Sequence, residues 1–149
     1  MNIPEDLPKD KLLPDKIKNK LYYLLQKTKN LLEKNKIKTW AEGGTLLGAI
    51  RHKEMVPWDD DMDIGILDPD DKIESILDKL PNELKYVPTF FGYKIFFRRG
   101  GKKLHKRGHL QNYTYPGLDI FPREIVNNKL VYKNEKAREI WKDKPKTDI

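Results

Sequence analysis

The sequence predicts an α+β fold, a small mixed β-sheet flanked by helices and led by one long N-terminal helix. Three observations predict it. Leucine and isoleucine recur at helical spacing across residues 14–35. Downstream, short runs alternate apolar and polar residues at strand period, punctuated by glycine, proline and asparagine. Helix-like and strand-like segments follow one another in mixed order, with no internal repeat.

From Pro14 to Asn35, Ile17, Leu21, Leu24, Leu25, Leu31 and Leu32 lie near one stripe, with lysines opposite. Pro14 suits a first turn. Thr39 to Glu42 reads as a short strand ending at Gly43-Gly44, and Thr45 to His52 as a helix after that turn. Met62 to Leu67 alternates and is expected to be a strand. Pro69 to Leu80 is expected to be a helix, with Asp70 and Asp71 in its first turn. Tyr86 to Phe90 and Tyr93 to Arg98 are β-rich, with Gly92 and Gly100-Gly101 as breaks. Gly117 to Phe121 is a further strand, Glu124 to Tyr132 a hairpin around Asn127-Asn128, and Lys133 to Lys142 a last helix.

The 149 residues suit a single domain, 1–149, with a helical segment at 1–36, a core at 37–123 and a short hairpin and helix at 124–149. A domain of this size buries roughly 68–70% of its unfolded surface. Cysteine is absent, which excludes a disulfide scaffold and a thiolate zinc site. No apolar run reaches the ~18 residues of a membrane span. Residues 1–11 carry no apolar leader region, so a cytoplasmic protein is expected.

The net charge of +7 is unevenly spread. Residues 9–38 hold ten lysines and three acids, residues 59–84 ten acids and two lysines, and residues 94–109 seven Lys/Arg and no acid. An acidic block between basic ones can bring a metal together with an anionic ligand, although most lysines of this kind are solvated surface.

The informative stretch is Gly43 to Ile66. Met62, Ile64 and Ile66 can enter a core together, which puts Asp61 and Asp63 on the other face of the strand, Cα atoms about 6.5–7 Å apart. Like charges that close repel unless a cation lies between them, and hard divalent cations take carboxylate oxygens. In Leu118-Asp119-Ile120 a third carboxylate again points away from two aliphatics. If that strand neighbours the first, three acids converge in a set suited to phosphoryl transfer. Because clustered acids repel, replacing any one by Asn is expected to stop turnover and leave stability unchanged.

Gly43-Gly44-Thr45 allows close approach of backbone to phosphate ahead of a helix N-terminus, which makes Gly44 and Thr45 candidate phosphate contacts, though a Gly-Gly turn between strand and helix is structural more often than not. Arg51 can hold phosphate bidentately or pair with the acids. His52 is a candidate base or an ordinary helix-end histidine. Asp59 and Asp60 are ligands, supports or solvated acids. Trp58 packs under the loop or stacks on a base. Arg98, Arg99, Lys102, Lys103, Lys106 and Arg107 form a basic hairpin tip that can meet an anionic acceptor.

Gly44-Thr45-Leu46-Leu47-Gly48, Arg51-His52-Lys53, Pro57-Trp58-Asp59-Asp60-Asp61 and Asp63-Ile64 together resemble the signature of the LicD/fukutin-like family, within the polymerase-β-type nucleotidyltransferase superfamily. Tyr93-Lys94 and Leu118-Asp119-Ile120-Phe121-Pro122 resemble its later motifs. The resemblance implies a nucleotidyltransferase-type fold, Mg²⁺ or Mn²⁺, and transfer of a phospho-alcohol such as phosphocholine or phosphoribitol from a CDP-linked donor to a glycan acceptor. It makes Asp61 and Asp63 the paired metal ligands and Asp119 the third carboxylate. Two other readings use the same residues differently: an NTP-dependent nucleotidyltransferase releasing pyrophosphate, and a non-catalytic polyanion-binding module suggested by a pI near 9.4. A nucleic-acid partner is not expected, because clustered carboxylates add nothing to phosphate binding.

Overall fold

A computed structural model describes residues 15–42, 61–100, 105–106, 109–110 and 114–141, with only the backbone described at Asp61 and at the two short pairs. The expectations for Gly44, Thr45, Arg51, His52, Trp58, Asp59, Asp60, Lys102, Lys103 and Arg107, and for the helix after Gly43-Gly44, fall outside the described residues. The elements run α1 (Asp15–Lys34), β1 (Lys38–Glu42), β2 (Asp61–Leu67), α2 (Ile73–Leu77), β3 (Leu84–Pro88), β4 (Tyr93–Phe97), β5 (His105–Lys106), β6 (His109–Leu110), β7 (Gly117–Val126), β8 (Lys129–Tyr132) and α3 (Glu135–Ile140).

The α+β expectation holds. Six strands form one mixed sheet in the order β1-β2-β7-β4-β3, with β8 paired to the far half of β7. The β2–β7 pair is parallel and the other pairs are antiparallel. Helix α1 covers one face. Its Leu21, Leu24 and Leu32 join Met62, Ile64 and Ile66 of β2, Ile95 of β4, and Leu118 and Ile120 of β7 in the core. Alternation within each strand sends these side chains to the helix side, so the odd-numbered residues of β2 and β7 occupy the opposite face.

Local chemistry sets the element ends. Helix α1 stops where Lys36 turns left-handed (φ 62°), and the Ile37 N–H donates back to the Leu32 carbonyl at 2.9 Å. That geometry buries Ile37 against Leu32 and feeds the chain directly into β1. Helix α2 is much shorter than the Pro69–Leu80 segment expected. Asp71 is left-handed (φ 55°), which no helix tolerates. The buried Asp68 carboxylate accepts the N–H groups of Lys72 and Ile73, so the helix begins after them. Lys133 reaches across from the end of β8 to Asp68 and Asp71.

Strand β7 is longer than expected and absorbs the start of the hairpin. Pro122 does not break it, because β7 changes partners there. Residues 117–120 pair with β4 and residues 123–126 with β8. A proline has no N–H to offer, and the switch point asks for none on that side. Asn127 and Asn128, both at positive φ (51° and 64°), make the tight turn to β8. Gly92 closes the β3–β4 turn, where a Cβ would meet the Ile120 carbonyl oxygen at 2.2 Å. No helix among the described residues is long and apolar enough to cross a membrane.

Candidate functional site

Four strands carry one charged residue each into a single row across the sheet face opposite α1. Register pairs Glu42 of β1 with Asp63 of β2, Asp63 with Asp119 of β7, and Asp119 with Lys94 of β4. Neighbouring strands lie about 4.8 Å apart, so each acid has its neighbour within one strand spacing. The condition placed on the third carboxylate is therefore met, since the Asp119 strand adjoins the Asp63 strand. Asp61 pairs through its backbone with Gly117 of β7, and its side chain falls outside what is described. The described side chains include no set of three or more acids or histidines that would hold a metal by themselves. The register sets Asp63 beside Asp119, with Glu42 beyond.

Glu42, Asp119 and Lys94 are buried and ion-paired, while Asp63 is half-buried. The Lys94 ammonium lies 3.1 Å from Asp119 Oδ1, with the two side chains 6% and 12% exposed. It also sits 5.2 Å from the centre of the Tyr115 ring. At the other end, Glu42 Oε1 accepts the Arg123 Nε–H at 2.9 Å and the Trp40 indole N–H at 3.0 Å. Arg123 in turn stacks on Tyr132, 3.7 Å from the ring centre. Burial pushes the Tyr132 hydroxyl above its ordinary range. Gly65 lies beneath this clamp, where a Cβ would be 2.3 Å from Trp40 Nε1.

This geometry corrects one expectation. Asp119 is not simply one of several repelling acids. It is half of a buried ion pair, so its replacement by Asn carries a stability cost. Sequence reasoning also missed three residues. Glu42 was read only as a strand end, Lys94 only as part of a motif, and Arg123 not at all. The available signal was a lone charge within an otherwise apolar strand, as in Tyr93-Lys94-Ile95-Phe96.

The donor chemistry fits a hard divalent cation. It consists of carboxylate oxygens from adjacent strands, with no thiolate in the chain. Of the basic tip, Arg98 and Arg99 line a cleft of about 550 Å³ with Asn82, Glu83 and Phe97. Arg98 Nε donates to the Asn82 carbonyl at 3.0 Å, and Lys20 lies 5.5 Å from the centre of the Phe97 ring.

Comparison with known proteins places this geometry. Residues 36–149 match the family model for the nucleotidyltransferase domain of LicD, FKTN and FKRP. The chain is 37% identical over 120 residues to an uncharacterized protein of Rickettsia prowazekii, a match covering 80% of this chain and 39% of that protein. It is 59% identical over 34 residues to the lipopolysaccharide cholinephosphotransferase LicD of Haemophilus influenzae, covering 23% of this chain and 13% of that one. It is 53% identical over 36 residues to the ribitol 5-phosphate transferase FKRP of Homo sapiens, covering 24% of this chain and 7% of that one. The chain thus spans well under half the length of these relatives. With 114 of its 149 residues inside the family model (36 through 149), the chain belongs to the LicD/FKTN/FKRP nucleotidyltransferase-domain family.

Proposed function

We propose that the carboxylate row is the transfer site of a metal-dependent phosphotransferase, which moves a phospho-alcohol from a CDP-linked donor to a glycan hydroxyl. The observation that carries this reading is the register that sets Asp63 beside Asp119 on the sheet face opposite α1. Family membership supports the reaction class, since the Haemophilus LicD is a cholinephosphotransferase and FKRP a ribitol 5-phosphate transferase.

Asp61, Asp63 and Asp119 would hold Mg²⁺ or Mn²⁺. When bound, the cation supplies positive charge against the donor's phosphate oxygens. Gly44, Thr45 and Arg51 are assigned to the donor phosphates on their sequence pattern. In the transfer, the acceptor oxygen forms a bond to the phosphorus bearing the alcohol. The bond from that phosphorus to the CMP oxygen breaks, CMP leaves with the electron pair, and the hydroxyl proton passes to a carboxylate of the row or to water. The strands hold these carboxylates in fixed register, which serves orientation. The basic cleft at Arg98 and Arg99 is a candidate seat for an anionic part of the acceptor.

Product analysis tests this proposal. The full chain is incubated with Mg²⁺, a glycan acceptor pool, and CDP-choline, CDP-ribitol or the four NTPs. CMP from a CDP-alcohol is the expected product. Pyrophosphate from an NTP without CMP would replace the proposal by nucleotidyl transfer. Neither product, with polyanion binding that survives loss of the acids, would replace it by a binding module.

A further inference from the structure

The transfer reading leaves Lys94 without a role, yet Lys94 is as deeply buried as any described charge in the row. We propose that Lys94 is a positioning residue, an internal counter-cation for Asp119 that makes divalent-metal binding at the row depend on the phosphate arriving with the metal. The inference rests on the reading of the row as a metal site.

Three observations carry it. Lys94 and Asp119 are direct cross-strand partners, so the pair is built into the sheet register and not into a mobile loop. Their charged groups are 3.1 Å apart and nearly excluded from solvent, where a charge left without an opposite partner is costly. At the other end of the row Arg123 compensates Glu42 in the same way. Glu42 and Asp119 thus each have a cation supplied by the protein.

A bare divalent cation entering this row gains less attraction than three acids would give, and it meets the Lys94 charge at short range. A cation carrying a diphosphate brings its own anion, which screens that repulsion and is itself attracted to Lys94. By linkage, metal and nucleotide then strengthen each other. The device holds Asp119 in place between turnovers, and it disfavours occupation of the row by metal without donor.

The test measures Mn²⁺ binding to the 149-residue chain, alone and with CDP present, in wild type, Lys94→Met, Lys94→Gln, Lys94→Arg and Asp63→Asn. Met matches the lysine stem without its charge. Gln keeps a hydrogen-bond donor for Asp119 should Met destabilise the sheet. The expected result is that Met or Gln tightens binding of Mn²⁺ alone by about tenfold or more, as removal of a nearby like charge in a partly buried site predicts. CDP should then enhance Mn²⁺ binding far less than in wild type, while Arg should keep wild-type behaviour.

A merely structural lysine would lower stability and leave both Mn²⁺ affinities unchanged, and that result overturns the inference. Unchanged Mn²⁺ binding in Asp63→Asn would instead overturn the metal row itself, and the role of Lys94 with it.

Discussion

Replacing Asp119 by Asn should cost stability even in the absence of metal, and the structure sets the size of that cost. Asp119 sits on the central strand with its side chain 12% exposed, and its partner Lys94 is 6% exposed. Solvent therefore screens little of the interaction. Removing one member of a buried pair and leaving the other charge behind typically costs 3–5 kcal/mol. Asn keeps a carbonyl oxygen that can still accept from the ammonium, so about 3 kcal/mol is expected here. In a domain of this size that corresponds to a fall in Tm of about 6–12 °C. Urea unfolding and thermal melts of the metal-free protein measure it. The double variant Asp119→Asn with Lys94→Met completes the cycle, and it should recover much of the loss because no buried charge is left alone. An Asp119→Asn variant melting with wild type, or a cycle in which the two changes simply add, would refute the reasoning.

Asp63→Asn should stop turnover with a smaller loss of stability, because its register neighbours on both sides, Glu42 and Asp119, are acids. A melt as low as that of Asp119→Asn would contradict this. Gly65→Ala should destabilise the fold by about 1–3 kcal/mol through overpacking, since the added methyl would lie 2.3 Å from Trp40 Nε1 and 2.5 Å from Glu42 Oε1. Denaturant midpoints and tryptophan fluorescence report both the loss and the displaced indole.

The protein should also weaken in alkali. Burial, then the hydrogen bond to Glu74, pushes the Tyr93 hydroxyl well up, and the hydrogen bond to Asp78, then burial, pushes Tyr86 up to about 12. Groups raised in the folded state contribute stability that is complete below their unfolded value of 10.0 and is lost as pH rises through the folded values. Urea midpoints followed upward from neutral pH should fall beyond that point, less steeply in Tyr93→Phe. A Tyr93→Phe slope identical to wild type would contradict the assignment.

What the sequence made legible was what alternation and helical period encode within one segment. The α1 stripe and the placement of Asp63 and Asp119 on the sheet face away from α1 follow from spacing alone. Pairing between distant segments is not encoded that way. Asp63 meets Asp119, and Asp119 meets Lys94, only because β7 lies between β2 and β4, and the two registers come from the assembled sheet. For that reason the acids were legible as candidates, while their compensation by Lys94 and Arg123 was not. Tertiary chemistry also overrode local pattern at α2, where the left-handed Asp71 and the buried Asp68 carboxylate delay the helix. The same holds at Pro122, which reads as a strand end and proves to be a partner switch within β7.

The claim at the centre of this account is that Asp63 and Asp119 share a divalent cation. An anomalous difference map from a crystal of the protein grown with Mn²⁺ and CDP tests it most directly. The account predicts a Mn²⁺ peak coordinated by the Asp63 and Asp119 carboxylates, with the donor's phosphate oxygens in the same coordination shell. A map with Mn²⁺ bound elsewhere, for instance at Asp68 and Asp71, and none between Asp63 and Asp119 would contradict it.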